Sequence, residues 1–501
     1  MNIKTQCSSP ANAGLGWMHP LVRVGSLGSL SSLLCVWPLL LNADHHTPPI
    51  APEATGGATT VWADGKHAFS FPAANLSDEE RTRFVIGNSF FKRNWVQAPA
   101  STKVRDGLGP HFIARSCGGC HVLDGRGRPP EIRNRLGHHD QPTEMLIRLS
   151  VPGTPDPHQG VRPEPTYGDQ FNNAAIEGVQ PEGQVHIHHR PIQGRFADGT
   201  PYVLQQPHYR LQGLAYGPMR RDVMLSPRTA PQLMGIGLLE LIPEAAIRAN
   251  QQAQAAQAGP IKGQINWVWD APTQRMVLGR FGWKANTGSI AHQSAGAFRG
   301  DMGITSVWAP EEACTSAQKD CLSAPRGGHG DAHEIDQTTL EDVVFYQATL
   351  APVARRGVDD PQVKHGQRLF HQAQCAVCHH PNYTTAAAPW AEQFPRLTSP
   401  ALVGQAIWPY TDGLLHDMGP ALADGRPDFA ASGRQWKTPP LWGVGLISAV
   451  NGHQRLLHDG RARGVLEAVL WHGGEAEAAK QQVLKMNHTE RKALVHFVES
   501  L

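Results

Sequence analysis

The sequence has little charge, few cysteines and only one long apolar run. Only 18% of its 501 residues are charged, and 45 basic residues nearly balance 43 acidic ones, for a net charge of +2. This balance gives no reason to expect nucleic acid or an acidic membrane surface as a partner. The eight cysteines lack two CxxC pairs about 15–20 residues apart, which argues against a zinc ribbon. The length allows two or three domains, each with its own core.

The cysteines instead form two CxxCH motifs, Cys117-Gly-Gly-Cys-His121 and Cys375-Ala-Val-Cys-His379, which begin 258 residues apart. CxxCH is the attachment motif of c-type haem: both cysteines form thioethers, and the histidine is the proximal iron ligand. The motifs therefore predict two covalently bound haem c groups and electron-transfer chemistry. The predicted haem-binding residues are Cys117, Cys120, His121, Cys375, Cys378 and His379.

Covalent haem attachment takes place outside the cytoplasm, so we expect the chain to be exported. The apolar run lies between Val24 and Leu41, with basic residues before it, and predicts a signal peptide over residues 1–43 and a periplasmic protein. An uncleaved N-terminal anchor is the alternative, because no clear A-x-A cleavage site follows. In an oxidising compartment, Cys314 and Cys321 predict a disulfide bond, with two free thiols as the alternative.

The 40 prolines and 51 glycines indicate many loops. Residues 44–76 are typical of a linker. We predict a mainly α fold with two cytochrome c-like haem domains, residues 77–350 and 355–501, and an irregular, partly β insertion at about 150–230 in the first. Within the insertion, His186, His188 and His189 are a candidate metal cluster, although neighbouring histidines in a loop are usually solvated.

Three helices are predicted from local signals. Ser77, with Glu80 three residues later, forms a capping box that opens a helix reaching Trp95. Residues 362–374 form the helix that leads into the second CxxCH. Asn487 and Glu490 repeat the capping-box spacing at the start of a C-terminal helix.

The sequence around both motifs resembles a known family. The resembling stretches are Asp106-Gly-Leu-Gly-Pro-His-Phe112, Asp124-Gly-Arg-Gly-Arg-Pro-Pro130, Trp408-Pro-Tyr-Thr-Asp-Gly-Leu-Leu-His-Asp-Met-Gly419, Leu457-His-Asp-Gly-Arg-Ala462 and Trp471-His-Gly-Gly-Glu-Ala476. They resemble the di-haem oxidoreductases often called thiol oxidoreductases, which are related to bacterial di-haem cytochrome c peroxidases and to a di-haem enzyme that matures a tryptophan-derived quinone.

The resemblance implies a set of catalytic residues. The peroxidases have a tryptophan between the haems, a glutamine ten residues later and a distal acid just before Met-Gly. Trp283, Gln293 and Asp301 stand at these positions here. Trp283 would then lie between the haems, and Gln293 and Asp301 would line the distal face of the first. The acid is Asp rather than the usual Glu, so its carboxylate stands one methylene farther back.

The resemblance also implies the sixth ligand of the second haem. In the peroxidases this ligand, commonly Met, follows the histidine of a His-Asp-Gly by fourteen residues, and His472 stands at that spacing from His458. Met418 is a rival ligand, and His416 would lie near the second haem. The peroxidases also bind calcium between the haems, but the Thr-x-Pro expected before His458 is absent, which argues against calcium here.

The leading functional prediction is an exported di-haem c oxidoreductase. Peroxidase-like chemistry at the first haem would use hydrogen peroxide or another small oxidant, and the second haem would exchange electrons with a small redox carrier protein. One alternative is a non-catalytic di-haem electron-transfer protein, which a distal His or Met on the first haem would favour. The other is an oxidase that modifies a partner protein.

Overall fold

The computed structural model of the chain describes residues 53–130, 141–327 and 333–501. The predicted signal peptide or anchor, residues 1–43, and the first part of the 44–76 linker lie outside them. All the described residues belong to a single unit, Ile50–Leu501, and the division into two haem domains stays a prediction. None of the helices in the described part of the chain is long and apolar enough to span a membrane.

Twelve α-helices occur in the described residues. They are α1 Asp78–Lys92, α2 Cys117–Cys120, α3 Ile236–Glu240, α4 Glu244–Ala256, α5 Ile290–Met302, α6 Lys319–Leu322, α7 Gln337–Ala348, α8 Pro361–Gln372, α9 Ile447–Asn451, α10 Val465–Trp471, α11 Glu477–Lys485 and α12 His488–Ser500. Short 3₁₀ turns connect several of them.

Thirteen strands occur in the same residues, all short except for one hairpin. They are β1 His111–Phe112, β2 Met145–Ser150, β3 Gln170–Phe171, β4 Ala174–Ala175, β5 Gln184–Arg195, β6 Pro201–Gln212, β7 Met224–Thr229, β8 Trp267–Asp270, β9 Arg275–Leu278, β10 Tyr383–Thr384, β11 Ala406–Ile407, β12 Leu415–Asp417 and β13 Gln435–Lys437. One sheet has three antiparallel strands in the order β3-β2-β7, and the other described sheets are pairs.

The prediction of a mainly α fold made of two cytochrome c-like domains was wrong. The structure is 31% helical and 18% strand, with several small sheets. Strands also occur well beyond the predicted insertion, from β8 to β13. The physical reason lies in the many glycines and prolines, which interrupt helices and leave backbone groups that short strand pairs then satisfy. Helical periodicity, on which the prediction depended, does not reveal these pairs.

The capping signals gave correct helix starts. The Ser77 side chain accepts a hydrogen bond from the Glu80 backbone N–H, and the Glu80 carboxylate accepts one from the Ser77 N–H. Asn487 and Glu490 form the same reciprocal pair at the start of α12. These contacts are local, so the sequence alone can specify them. Helix α1 ends at Lys92, three residues before the predicted end.

The core near the first CxxCH is formed where α1 crosses α7. The helices approach so closely that a Cβ atom on Gly87 would lie 2.1 Å from the Asp342 carbonyl oxygen. Phe84 and Phe91 pack against the ring of Tyr346, with centroids 4.7 and 5.1 Å apart. This packing places Phe91 beside His121 of the motif, with ring centroids 6.3 Å apart.

A second core lies where α8 crosses α12, beside the second CxxCH. Phe370 of α8 and Phe497 of α12 have ring centroids 5.2 Å apart, and Tyr410 packs against both. Phe370 also contacts His379, at 6.2 Å between centroids. Each CxxCH histidine therefore packs against a phenylalanine from a helix that precedes it in the chain.

The β5–β6 hairpin links the insertion to the C-terminal part of the chain. At its tip, the Ala197 N–H donates to the Leu484 carbonyl at 2.9 Å. Farther along the hairpin, the Tyr209 hydroxyl donates to the Asp459 carboxylate at 3.2 Å. The insertion thus contacts the His458-Asp459-Gly460 segment directly.

Candidate haem sites

Two internal cavities, each of about 180 Å³, open beside the two CxxCH motifs. The first cavity is bordered by Cys117, Cys120, His121, Gln293 and Asp301. The second cavity is bordered by Cys375, Cys378, His379, His416, Met418 and His472. Trp283 borders both cavities. The structure therefore gathers every predicted site residue around two adjoining spaces, and the roles of those residues remain predictions.

Each CxxCH histidine is oriented by a backbone carbonyl. Nδ1 of His121 lies 2.8 Å from the Pro231 carbonyl oxygen, and Nδ1 of His379 lies 3.0 Å from that of Tyr410. A ring that donates through Nδ1 keeps the Nε2 lone pair for a metal. Burial lowers the pKa of both histidines, that of His379 to about 4, so both rings are neutral near pH 7. Neutral, oriented imidazoles are suitable axial ligands of haem iron.

None of the four motif cysteines takes part in a disulfide bond. Burial raises the pKa of Cys117 and of Cys375 to about 12, which keeps these sulfurs protonated. A redox-active cysteine needs a thiolate, so the surroundings of Cys117 and Cys375 do not favour thiol redox chemistry. Paired thiols and an oriented histidine beside a cavity fit a haem group in each place.

Helix α5 forms one wall of the first cavity. It begins at the Ser289 cap and ends at Gly303, whose φ of +67° gives the left-handed conformation that glycine favours. Gln293 and Asp301 are eight residues apart, which places them on the same face of the helix. The Asp301 carbonyl accepts a hydrogen bond from the Ile113 N–H at 2.8 Å, which fixes the end of α5 to the chain before the first motif.

The two polar side chains of this wall have defined environments. The Gln293 carbonyl oxygen accepts a hydrogen bond from the Thr287 hydroxyl at 2.9 Å, which leaves its NH₂ group to donate to a ligand. Burial raises the pKa of Asp301, and the Arg148 charge and a hydrogen bond from Gln170 oppose that rise. A buried carboxyl of this kind can both take up and release a proton nearer neutral pH.

Trp283 is fixed between the cavities by two contacts. Its indole N–H donates to the Thr229 carbonyl at 2.9 Å. The Arg126 guanidinium lies over the ring, 5.0 Å from its centroid. The ring is 9% exposed and is held in a single orientation between the two cavities.

Arg126 also lies against Trp283, in the region where a calcium ion between the haems would be expected. It is 3% exposed and donates to the Arg455 carbonyl at 2.6 Å, and to the Leu457 carbonyl. The nearby Asp459 carboxylate is paired with Arg461 at 2.8 Å. Calcium needs such oxygens as ligands, and here cationic side chains already use them. The residues do not fit calcium at this place, and sequence reasoning did not identify Arg126.

His472 faces the second cavity directly after α10. Its Nδ1 lies 2.6 Å from the Ala468 carbonyl oxygen, so its Nε2 is available in the same way as that of His379. His379 and His472 border the same cavity, and burial also lowers the pKa of His472. Met418 borders the same cavity and remains the alternative sixth ligand.

His416 lies between two carboxylates at the edge of the second cavity. Its Nε2 is 2.8 Å from Asp412 Oδ2, and its Nδ1 is 2.7 Å from Glu475 Oε2. Burial opposes its protonation, but the Asp412 charge and the hydrogen bonds raise the pKa of His416 well above its usual value. The imidazolium and its two carboxylates together carry a net charge of −1.

The predicted histidine cluster is not brought together. Alternation along β5 places His189 on the opposite face from His186 and His188. His188 instead pairs across the hairpin with His208, with stacked rings 4.9 Å apart, and His186 pairs with Arg210. Sequence reasoning missed His208, because the pairing depends on the hairpin register. Cys314 and Cys321, by contrast, form the predicted disulfide bond.

The chain matches the sequence model of one protein family over residues 50–166 and 182–501. The family is described as "Di-haem oxidoreductase, putative peroxidase". No curated protein and no solved structure matches the chain.

The raised pKa of His416 predicts a pH-dependent stability. Protonated His416 stabilises the folded state fully at pH values below its pKa in the unfolded chain, which is about 6.5. This stabilisation is lost as the pH rises through the higher pKa of His416 in the folded protein. We expect His416→Gln to destabilise the protein most near pH 6, by about 3–5 kcal/mol, because it leaves buried carboxylates without their cation. Urea unfolding from pH 6 to 10 should show this difference shrinking. A cost of His416→Gln that stays constant from pH 6 to 10 would contradict the assignment.

Proposed function

Because the chain belongs to the di-haem oxidoreductase family, we propose that it reduces hydrogen peroxide or a similar small oxidant in the first cavity. Electrons would reach that cavity by way of the second one. The observation that carries this proposal is the shared face of α5, which brings Gln293 and Asp301 into the same cavity as His121. Trp283, which borders both cavities, supports the relay.

The proposal includes thioether attachment of haem at both motifs. A bound haem supplies an iron that exchanges electrons and that can bind an oxidant at an open position. His121 and His379 would be the proximal ligands, since each ring is oriented to present Nε2.

In the first cavity, we assign proton movement to Asp301 and substrate positioning to Gln293. The Asp301 carboxylate would take a proton from the first peroxide oxygen and return it to the leaving oxygen. The reaction consumes two electrons and two further protons, and it yields two water molecules. The Gln293 amide, oriented by Thr287, would donate a hydrogen bond to the oxidant. Burial of Asp301 supports this role, because a proton shuttle works best with a pKa near the operating pH.

In the second cavity, His379 and His472 would hold the second haem iron. A second imidazole in place of a thioether lowers the reduction potential, since methionine ligation raises it. This site would accept electrons from a small redox carrier protein. We place the protein in the periplasm, because haem c is attached outside the cytoplasm, and the Cys314–Cys321 disulfide supports an oxidising compartment.

A non-catalytic electron-transfer protein is the second candidate. Met145 borders the first cavity and is almost fully buried. A thioether on the sixth position of the first iron would exclude peroxide and would leave both irons as electron carriers.

Covalent attachment predicts that haem stays with the unfolded chain. Mass spectrometry of the denatured protein should show two haem additions. Changing Cys375 and Cys378 together to Ala should remove one of them. Changing Cys314 and Cys321 to Ala should remove neither, because these cysteines form a disulfide away from both cavities. Release of both haems on denaturing the unmodified protein would contradict thioether attachment.

Asp301→Asn should slow the reaction with hydrogen peroxide about 10²- to 10⁴-fold, the usual contribution of a general acid–base group. Stopped-flow absorbance of the fully oxidised and half-reduced protein measures this step. The matched control is Asp222→Asn, an exposed aspartate paired with Arg220, which should react as the unmodified protein does. An unchanged rate in Asp301→Asn would remove the proton-shuttle role. Failure of the unmodified protein to react in either state would favour the electron-transfer candidate.

His472→Met should raise the reduction potential of one haem and leave the other unchanged. Spectroelectrochemical titration measures both potentials. His496→Met, on the exposed face of α12, is the control and should change neither. If His472→Met has no effect while Met418→Leu shifts a potential, the sixth ligand is Met418 instead.

A further inference from the structure

Gln170 contacts the predicted proton shuttle directly. It lies in β3, where it pairs in register with Arg148 of β2, and it is 3% exposed. Its amide nitrogen donates to Asp301 Oδ1 at 2.9 Å and to the Gly300 carbonyl at 2.7 Å. The three-stranded sheet therefore delivers an amide donor to the end of α5.

The orientation of the Gln170 amide follows from its neighbours. Gly300 O, Asp301 Oδ1 and Asn172 Oδ1 are all acceptors, so only the NH₂ group can face them. The other end of the amide, Oε1, is buried and takes no hydrogen bond from any described residue. The donor end of the amide is therefore directed at Asp301 and at the Gly300 carbonyl.

The two carboxylate oxygens of Asp301 differ in their hydrogen bonding. Oδ1 accepts from Gln170, whereas none of the described residues donates a hydrogen bond to Oδ2, and Asp301 borders the cavity. A donor on Oδ1 restrains rotation of the carboxylate and favours its ionised form. Other charges also act nearby, and Arg148 shares its charge with Asp169 at 2.7 Å. The charged and titratable groups around Asp301 are Arg148, Asp169, Glu144, Arg228, Cys117 and Cys120.

We propose that Gln170 is a positioning residue that holds the Asp301 carboxylate toward the first cavity and sets the pH at which it exchanges its proton. The effect of Gln170 on catalysis rests on the proposed function, because that function gives Asp301 its role as a proton shuttle. Gln170 lies in residues 167–181, which fall between the two matched segments of the family. The residue that positions Asp301 therefore lies in a segment that the family model does not match.

Infrared titration of the haem-loaded protein tests this contact without depending on turnover. The carbonyl band of protonated Asp301 is identified by its loss in Asp301→Asn. In Gln170→Leu, the titration midpoint of that band should move up by about one pH unit, because the ionised form loses a charge-assisted hydrogen bond. Gln170→Glu keeps the size of the side chain and should also raise the midpoint, because two adjacent carboxyls cannot both ionise easily.

The matched control is Gln347→Leu, which removes another buried amide from the border of the same cavity, one that donates to Ser294 rather than to Asp301. Its Asp301 midpoint should stay where it is in the unmodified protein. A midpoint that is unchanged in both Gln170 variants, or that moves equally in Gln347→Leu, would overturn the inference. If Gln170→Leu does not fold, the isosteric Gln170→Glu still decides the question.

The pH profile of the peroxide reaction separates this inference from the proposed function. If both hold, the profile of Gln170→Leu shifts in the same direction as its infrared midpoint. If Asp301→Asn reacts normally while the infrared midpoint still moves in Gln170→Leu, the catalytic role fails and the positioning contact stands. If Asp301→Asn loses reactivity and neither midpoint nor profile moves in the Gln170 variants, the positioning role fails alone.

Discussion

One buried cation, the Arg126 guanidinium, connects the parts of the molecule that form the two cavities. Taking an isolated charge out of water is costly, so its donors must find partners. They find the carbonyls that precede His458 and the side chain of Gln232, while the flat face of the guanidinium covers Trp283. The hydrogen bonds of Arg126 therefore hold the chain after the first CxxCH against residues 455–457. The latter segment borders the second cavity. A cation on the indole face also disfavours removal of an electron from the Trp283 ring.

Both helices and strands contribute the polar side chains at the first cavity. Helix α5 supplies Gln293 and Asp301 from one face, and a helix alone could have provided both. The groups that act on Asp301 come from elsewhere, because Arg148 and Gln170 stand opposite each other on β2 and β3. A purely helical haem domain would offer no such pair of adjacent strands at the end of α5. The strand content that contradicted the predicted fold class is therefore part of the environment of the candidate acid.

The sequence predicted what depends on short spacings and missed what depends on distant ones. The CxxCH motifs, the capping boxes at Ser77 and Asn487, and the face of α5 all rest on residues within about one or two helical turns. The pairing of Gln170 with Asp301 joins positions 131 residues apart, and Arg126 reaches a carbonyl 329 residues away. Such contacts follow from strand register and tertiary packing, which the hydrophobic periodicity of the sequence does not predict. The histidines of β5 show the same limit, since the partner of His188 is His208 rather than a neighbour in sequence.

The charges around the second cavity favour one direction of electron flow under the proposed function. His416 with Asp412 and Glu475 carries a net charge of −1, held close to Cys378 by a 3.8 Å contact between the Cys378 sulfur and His416 Nδ1. A buried negative charge stabilises the oxidised, more positive state of a nearby iron, and so does ligation by two imidazoles rather than by imidazole and thioether. Both features would lower the reduction potential of a haem held at the second site. An iron held there would give up electrons readily. Under the proposed function, these electrons would pass by way of Trp283 to the first cavity, which Asp301 and Gln293 border. Under the proposed function, loss of the His416 proton at high pH would leave more negative charge beside the second site, and a haem held there would give up electrons more readily.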